Sequence, residues 1–452
     1  MLWRKAWRKL EEWKAAPRRK ALLLSGARQT GKTTLVREFA RKRYGHFAEL
    51  NFLEDPRAAE VFAGPLDADS VVAGLTALLR TPLEPGDTLV LLDEVQECPR
   101  ARAAVKFLVE DGRFDWAETG SLLGVRSREV PSFPVGFEER VHVHPMDLEE
   151  FCRANGVQEA TFSILRECFE RLEPVPPAVH EAMMALFRAY VVVGGMPEVV
   201  QRYVDTHDVA QAVAAQRDLL ELYRQDIGKY AAGSEKAKAR AIFDAIPSQL
   251  DDKNRRFVLA DLSKTARQER YASSFLWLAD AGVALPCYNT AAPVPPLAAE
   301  EKRSYLKLFM GDAGLLCAAS LGNVQFAVLS GDLEVNMGSI VENVVAQELA
   351  AHGFPLRYHN GRRCGEVDFL VQPGSAVLPV EVKSGDSWTA HRALDNMLAV
   401  EEWGLDRAVV LCKGNVAVNG KVAYLPLYMS MFLEPERLPE SLPYEVDLSA
   451  LG

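Results

Sequence analysis

Residues 21–34 read ALLLSGARQTGKTT, and no other stretch restricts the fold of this chain as tightly. An apolar strand, Ala21–Leu24, runs into a loop from Gly26 to Thr33 and then into the helix-forming LVREFARKRY. The loop is G-x-x-x-x-G-K-[ST] in the strand–loop–helix setting that this pattern requires. Gly26 and Gly31 allow the tight turn that aims backbone N–H groups at phosphate oxygens, and the following helix adds its positive dipole end. Lys32 is expected to reach the β- and γ-phosphates, and the Thr33 hydroxyl to ligate Mg²⁺. The chain is therefore expected to build a parallel α/β sheet and to hold a nucleotide along Gly26, Ala27, Arg28, Gln29, Thr30, Gly31, Lys32, Thr33 and Thr34.

An acidic element fits the same chemistry. Thr88-Leu-Val-Leu-Leu92 reads as a buried strand ending in Asp93-Glu94. A carboxylate at the C-terminal edge of a parallel strand can hold the Mg²⁺ hydration shell, which is the expectation for Asp93. Glu94 follows it and is placed to polarise the attacking water. No guanine-reading N-K-x-D pattern is present, which favours ATP. Further on, Glu118-Thr119-Gly120-Ser121 offers a hydroxyl that can sense the γ-phosphate, with Ser121 preferred; a capped turn is the alternative. Arg28, Arg126, Arg128 and Arg140 are candidates for an arginine that reaches phosphate, and the sequence does not choose among them.

The chain has 452 residues, enough for two to four domains, and its 48% hydrophobic and 25% charged content is that of an ordinary soluble protein. A formal charge of −10 provides no molecule-wide basic field for nucleic acid, so any such contact has to be local. The first twenty residues run the other way, with eight Lys/Arg against two Glu. Trp3, Trp7 and Leu10 share one helical face there, with Trp13 a step further along. That pattern suits a helix packed on the next domain better than one lying on a membrane or on nucleic acid. No signal peptide or apolar run of transmembrane length is apparent, and the seven scattered cysteines contain no C-x-x-C pair. The expectation is a cytoplasmic protein without membrane contact.

Residues 157–240 read as mainly helical, interrupted near Glu173–Pro177 and at Gly194-Gly195-Met196-Pro197. His142 and His144 form a weak metal pair without a third ligand. The polar cluster Tyr223-Arg-Gln-Asp226-Ile-Gly-Lys229-Tyr230 suits either a nucleotide or subunit contact or a solvated helix face. Residues 241–290 follow the helix–turn–helix–strand order of a winged helix, from which Lys264, Arg267, Arg270 and Tyr271 can reach a phosphate backbone. The proline-rich stretch 291–302 reads as a linker or as a loop within one domain.

Near the C-terminus, EVDFLVQPGSAVLPVEVKSG places charges inside strand-like runs. Asp368 lies in V-D-F-L-V, and Glu381 and Lys383 flank Val382; Gln372-Pro-Gly-Ser375 is the turn between them. Upstream, GSIVENVVAQEL reads as an amphipathic helix carrying Glu342. Two readings fit: the wet face of a hairpin, or carboxylates and a lysine that hold Mg²⁺ or Mn²⁺ and activate a water for phosphodiester attack. The spacing D-x₁₂-E-x-K after an acid-bearing helix is that of the PD-(D/E)xK nuclease fold.

Taken together, GARQTGKTT, LVLLDEVQ, ETGS, FPVGFEE, YVVVGGMPEVV, LYRQDIGKY, WLADAGV, FMGDAGLL, GSIVENVVAQEL, EVDFLV and VEVKSG resemble a bacterial and archaeal family of AAA-like P-loop ATPases joined to a C-terminal nuclease-like domain. The resemblance implies an α/β multidomain chain. It comprises a P-loop ATPase domain (1–156), a helical region (157–235), a winged-helix-like domain (236–330) and a restriction-endonuclease-like domain (331–452). It also implies ATP binding with hydrolysis, and it places Glu342, Asp368, Glu381 and Lys383 on the nuclease positions, with Asp368 and Glu381 as metal ligands. Related ATPases often carry Gly-Arg where this chain has Gly136-Phe137, so the resemblance assigns no arginine finger. Two functions follow as expectations: an ATPase that controls a nuclease acting on DNA or RNA, or a switch that only grips nucleic acid or protein. A P-loop ATPase that needs an arginine in trans would also form a homo-oligomer.

Overall fold

Strand β1 (Ala21–Ser25) and strand β3 (Thr88–Asp93) are buried at every residue, the mark of central strands covered on both faces. They belong to a five-stranded sheet completed by β2 (His46–Asn51), β4 (Asp115–Thr119) and β5 (Glu138–His142). The order is β2-β3-β4-β1-β5, and every neighbouring pair is parallel. The structure, a computed structural model, describes residues 2–80, 82–120, 134–230, 234–251, 256–264, 267–320, 328–329, 337–437, 439 and 443–446.

The N-terminal helix (Ala6–Ala15) lies against this sheet. Leu10 and Trp13 enter one core with Leu22, Leu24, Leu35 and Phe39, and the Trp7 ring meets Phe39 edge-on at 5.3 Å. Trp7 and Trp13 therefore serve packing, the reading favoured from their spacing, while Trp3 is 44% exposed. Among the described residues no helix is long and apolar enough to cross a membrane.

After β5 the chain becomes helical, with Leu148–Ala154, Glu159–Arg171, Pro177–Val193, Pro197–Thr206, Val209–Tyr230 and Ser234–Asp251 in succession. Helix Gln268–Asp280 then leads into an antiparallel hairpin of β6 (Ala284–Thr290) and β7 (Glu301–Met310). The proline-rich stretch joins these two strands, so it is a loop within one domain. β8 (Arg357–Gly361) pairs in parallel with β6, and β9 (Gly365–Val367) pairs antiparallel with β8, giving a sheet of order β7-β6-β8-β9. A third sheet follows: β10 (Phe369–Val371), β11 (Leu378–Val382), β12 (Ala408–Cys412), β13 (Ala417–Asn419) and β14 (Val422–Pro426), in the order β10-β11-β12-β14-β13. The protein is an α/β multidomain chain: a five-stranded parallel sheet, a helical middle and mixed C-terminal sheets.

Helix Gly338–Ala351 corrects one expectation. It is not amphipathic, because every residue from Ser339 to Leu349 is buried. Three of its polar side chains are held by backbone groups of other elements. Asn343 both accepts from Met310 N (2.7 Å) and donates to Met310 O (3.0 Å), Gln347 accepts from Ala313 N (2.8 Å), and Glu348 accepts from Leu148 N (2.9 Å). A single apolar core accordingly runs from Met146 through Tyr190, Phe243, Phe309 and Val344 to Leu433. The Gly-Gly-Met-Pro turn is pinned within it. Gly195 N donates to Asp312 Oδ2 at 2.6 Å, and a Cβ on Gly195 would collide with the Met146 carbonyl oxygen.

Candidate active site

The loop between β1 and helix Lys32–Arg43 has the curvature that its sequence demands. Gly31 sits at φ 85°, and a Cβ on Gly26 would run into the Val143 carbonyl. Lys32 is buried, and its Nζ donates to the carbonyl oxygens of Gly26 (3.1 Å) and Ala27 (2.7 Å). Burial pushes its ammonium down to about 8, against the opposing pull of Glu94. Thr30 is also buried and donates to Ala27 O (2.9 Å), so the loop closes on itself. Gln29 and Thr34 are exposed.

Asp93, 3% exposed at the end of β3, is the hub of this site. Its Oδ1 accepts from the Thr33 hydroxyl at 2.8 Å and from the Thr119 hydroxyl, while Oδ2 accepts from Asn51 Nδ2 at 3.1 Å. Asn51 and Thr119 close strands β2 and β4, the two neighbours of β3, and the register sets Asn51 beside Asp93. Glu94 follows in the left-handed region at φ 55°, ψ 45°, where Gln96 Nε2 donates to its Oε2. A non-glycine residue in that region marks a constrained position, common where a side chain has to be aimed. Of the Glu118–Ser121 motif it is Thr119 that meets Asp93; Ser121, Arg126 and Arg128 lie outside the described residues. Arg140 is exposed, with its guanidinium 3.9 Å from Glu138. The His142 and His144 rings meet edge-on at 4.3 Å, and burial pushes them down to about 4 and about 3.

The loop is also gripped by parts of the chain distant in sequence. Arg4 donates to Thr30 O (2.8 Å), to His144 O (2.6 Å) and to Glu150 (3.0 Å). Tyr223 donates from its hydroxyl to Arg28 O (2.9 Å), and Asp226 pairs with the Arg28 guanidinium (2.7 Å). The backbone at Gly282 approaches so closely that a Cβ there would lie 2.9 Å from Ala27 N. The polar cluster at 223–230 thus faces the nucleotide loop at two of its positions.

The C-terminal acids lie on the two runs flanking the predicted turn. β10 and β11 form a hairpin in which Phe369 faces Val380, so Asp368 stands across from Glu381. Asp368 and Glu381 are both buried. Asp368 Oδ2 accepts from Val382 N (2.9 Å), and Lys383 Nζ donates to Glu381 Oε1 (2.7 Å). Glu342 forms an ion pair with Lys307 Nζ at 2.9 Å, and Lys307 also reaches Glu366 at 2.8 Å. Val380 and Val382 point into the core that contains helix Gly338–Ala351, whereas Val410, the register partner of Glu381, lies in the core beneath Leu394 and Met397. Among the described residues no group of three or more His, Cys, Asp or Glu side chains is placed to hold a metal ion. A cation there would rest on Asp368 and Glu381 with backbone oxygen and water. Lys307 was not anticipated, although its setting in Leu306-Lys307-Leu308-Phe309 is the same signal that drew attention to Glu381: a charge inside an apolar strand.

A family model for an AAA domain matches residues 18–152. Models for domains of unknown function match residues 184–325 (DUF8612) and 337–429 (DUF4143). The chain thus carries an AAA-type domain at residues 18–152 and a DUF4143 domain at residues 337–429. No curated protein matches it. Among solved structures it is similar to the Walker-type ATPase PABY2304 of Pyrococcus abyssi (16% identity, TM-score 0.41, 71% of this chain and 96% of that one). It is also similar to the Aeropyrum pernix ORC1 protein in complex with DNA (15%, 0.29, 74% and 93%) and to Cdc6p of Pyrobaculum aerophilum (15%, 0.24, 73% and 94%).

Burial, and next the charge of Asp368, push Glu381 up to about 7. A carboxyl whose pKa rises on folding adds stability below its unfolded value and loses that contribution as pH climbs through the folded one. Glu381→Gln is therefore expected to melt at a higher temperature than the parent at pH 8 and to match it near pH 4. Thermal melts across that range giving a constant difference would contradict the assignment.

Proposed function

We propose that this chain is a cytoplasmic, Mg²⁺-dependent ATPase whose nucleotide state controls its C-terminal domain. The observation that carries the reading is the Thr33 hydroxyl bonded to buried Asp93 beside Lys32. A neutral hydroxyl and a carboxylate at the start of a helix form a hard-oxygen donor set that suits Mg²⁺. Bound there, the cation would neutralise charge on the β- and γ-phosphates. Thr33 and Asp93 would hold it, and the loop N–H groups with Lys32 would orient the triphosphate. Thr119 and Asn51 keep Asp93 aimed, and Glu94 takes the proton of the attacking water.

Replacing Glu94 with Gln keeps the shape of the site and removes the base. The variant is expected to bind a fluorescent ATP analogue as the parent does while phosphate release falls by about 10²-fold or more. Turnover equal to that of the parent would remove Glu94 from this role.

The C-terminal domain is assigned a nuclease-like fold, and helices Ser234–Asp251 and Gln268–Asp280 with the β6–β7 hairpin are assigned a winged-helix role. Cleavage of DNA or RNA by Asp368, Glu381 and Lys383 is one output. A grip on nucleic acid or protein without cleavage is the second, favoured by the Lys383–Glu381 and Lys307–Glu342 ion pairs. Assays with Mn²⁺ on single- and double-stranded DNA and RNA separate the two. Cutting that Asp368→Asn and Lys383→Ala both abolish identifies a nuclease, and cutting that persists in both variants, or none at all, rejects it.

A further inference from the structure

Arg28 is the third residue of the nucleotide loop, on the turn that has to wrap phosphate, yet its side chain points to a carboxylate. Its guanidinium meets Asp226 Oδ1 at 2.7 Å, and its carbonyl oxygen accepts from the Tyr223 hydroxyl at 2.9 Å. Tyr223 and Asp226 are three residues apart on helix Val209–Tyr230, so they share one face, and the next residue on that face, Ile227, is buried. One helix face therefore holds one loop residue by main chain and by side chain together.

The charges make this contact sensitive to what enters the loop. A carboxylate at Asp226 repels a nearby polyphosphate, and Arg28 is the group that screens it. Arg28 also satisfies phosphate better than carboxylate when phosphate is within reach, since its planar fork fits either anion and the triphosphate carries more charge. The pair is neither sealed nor fully wet: the Arg28 and Asp226 side chains are 26% and 17% exposed. Exchange of Arg28 from Asp226 to phosphate needs no core to open.

The helix is in turn wired into the rest of the helical region. Gln216 Nε2 donates to the carbonyls of Val192 and Val193, both at 2.8 Å, just before the Gly-Gly-Met-Pro turn. Arg224 pairs with Asp244 of helix Ser234–Asp251 at 2.8 Å. A change at Asp226 thus has contacts through which to reach two neighbouring helices.

We propose that Asp226 is a positioning residue for the nucleotide loop: it competes with phosphate for Arg28, so that occupancy of the loop is read out by helix Val209–Tyr230. The inference rests on the reading of that loop as an ATP site and adds the element that senses it. With nucleotide bound, Arg28 leaves Asp226, and the helix keeps the Tyr223 contact to the loop.

The test uses the full chain carrying Glu94→Gln, with and without Mg·ATP, and follows amide hydrogen exchange in peptides covering 24–34 and 219–228. Nucleotide is expected to protect 24–34 and to speed exchange in 219–228. Adding Asp226→Asn is expected to speed exchange in 219–228 before nucleotide is added, to leave little further response, and to tighten ATP binding roughly three- to fivefold, the scale of one partly exposed ion pair. Asp226→Glu should restore the parental pattern. Protection of 24–34 with no change in 219–228 overturns the switch and leaves the ATP site standing, as does an Asp226→Asn variant that binds and responds like the parent. Failure of Mg·ATP to protect 24–34 rejects the ATP site and the switch together.

Discussion

The carboxylate of Asp93 is the contact on which the arrangement of the ATPase sheet converges. It is buried at the end of β3 and receives Asn51 from β2, Thr119 from β4 and Thr33 from the helix that follows β1. A buried carboxylate without such donors would be costly, so the three contacts that aim it also allow it to be there. The parallel order β2-β3-β4-β1-β5 brings these side chains to one edge, although they are separated by tens of residues in sequence. Chemistry at this edge and stability of the sheet thus share the same hydrogen bonds.

Around that edge the nucleotide loop is enclosed rather than free. Arg4 fixes it from just before the N-terminal helix, Tyr223 and Asp226 fix it from the helical region, and the Gly282 backbone presses on Ala27. Gly311 N donates to Val283 O at 2.9 Å, which ties the end of β7 to the Gly282 turn. Four residues back along β7, Lys307 binds Glu342 and Glu366. At a rise of about 3.3 Å per residue, one strand of roughly 13 Å separates the turn beside the loop from the charged cluster of the C-terminal region.

Much of this was legible in the sequence where local rules decide it. The loop, the two central strands, the Asp93–Glu94 edge and the Asp368–Glu381 hairpin follow from motif spacing, apolar runs and turn residues, and each lies where those signals put it. The helix at Gly338–Ala351 was misjudged because its Glu, Asn and Gln residues look solvent-facing by period, while their partners are backbone groups more than 30 residues away. The same holds for Glu342: its pairing with Lys307 depends on which sheet face each strand presents, and spacing along one segment cannot report that. Thr119 was visible beside Ser121, but only the β3–β4 register sets it against Asp93.

The central claim is that Lys32, Thr33 and Asp93 form a working Mg·nucleotide site. Isothermal titration of the full chain with Mg·ATP tests it most directly. Saturable binding with one site per chain, lost when Lys32 is replaced by Ala in a variant that melts like the parent, is the predicted result. Binding of equal strength in that variant, or no heat of binding in the parent, would contradict the account.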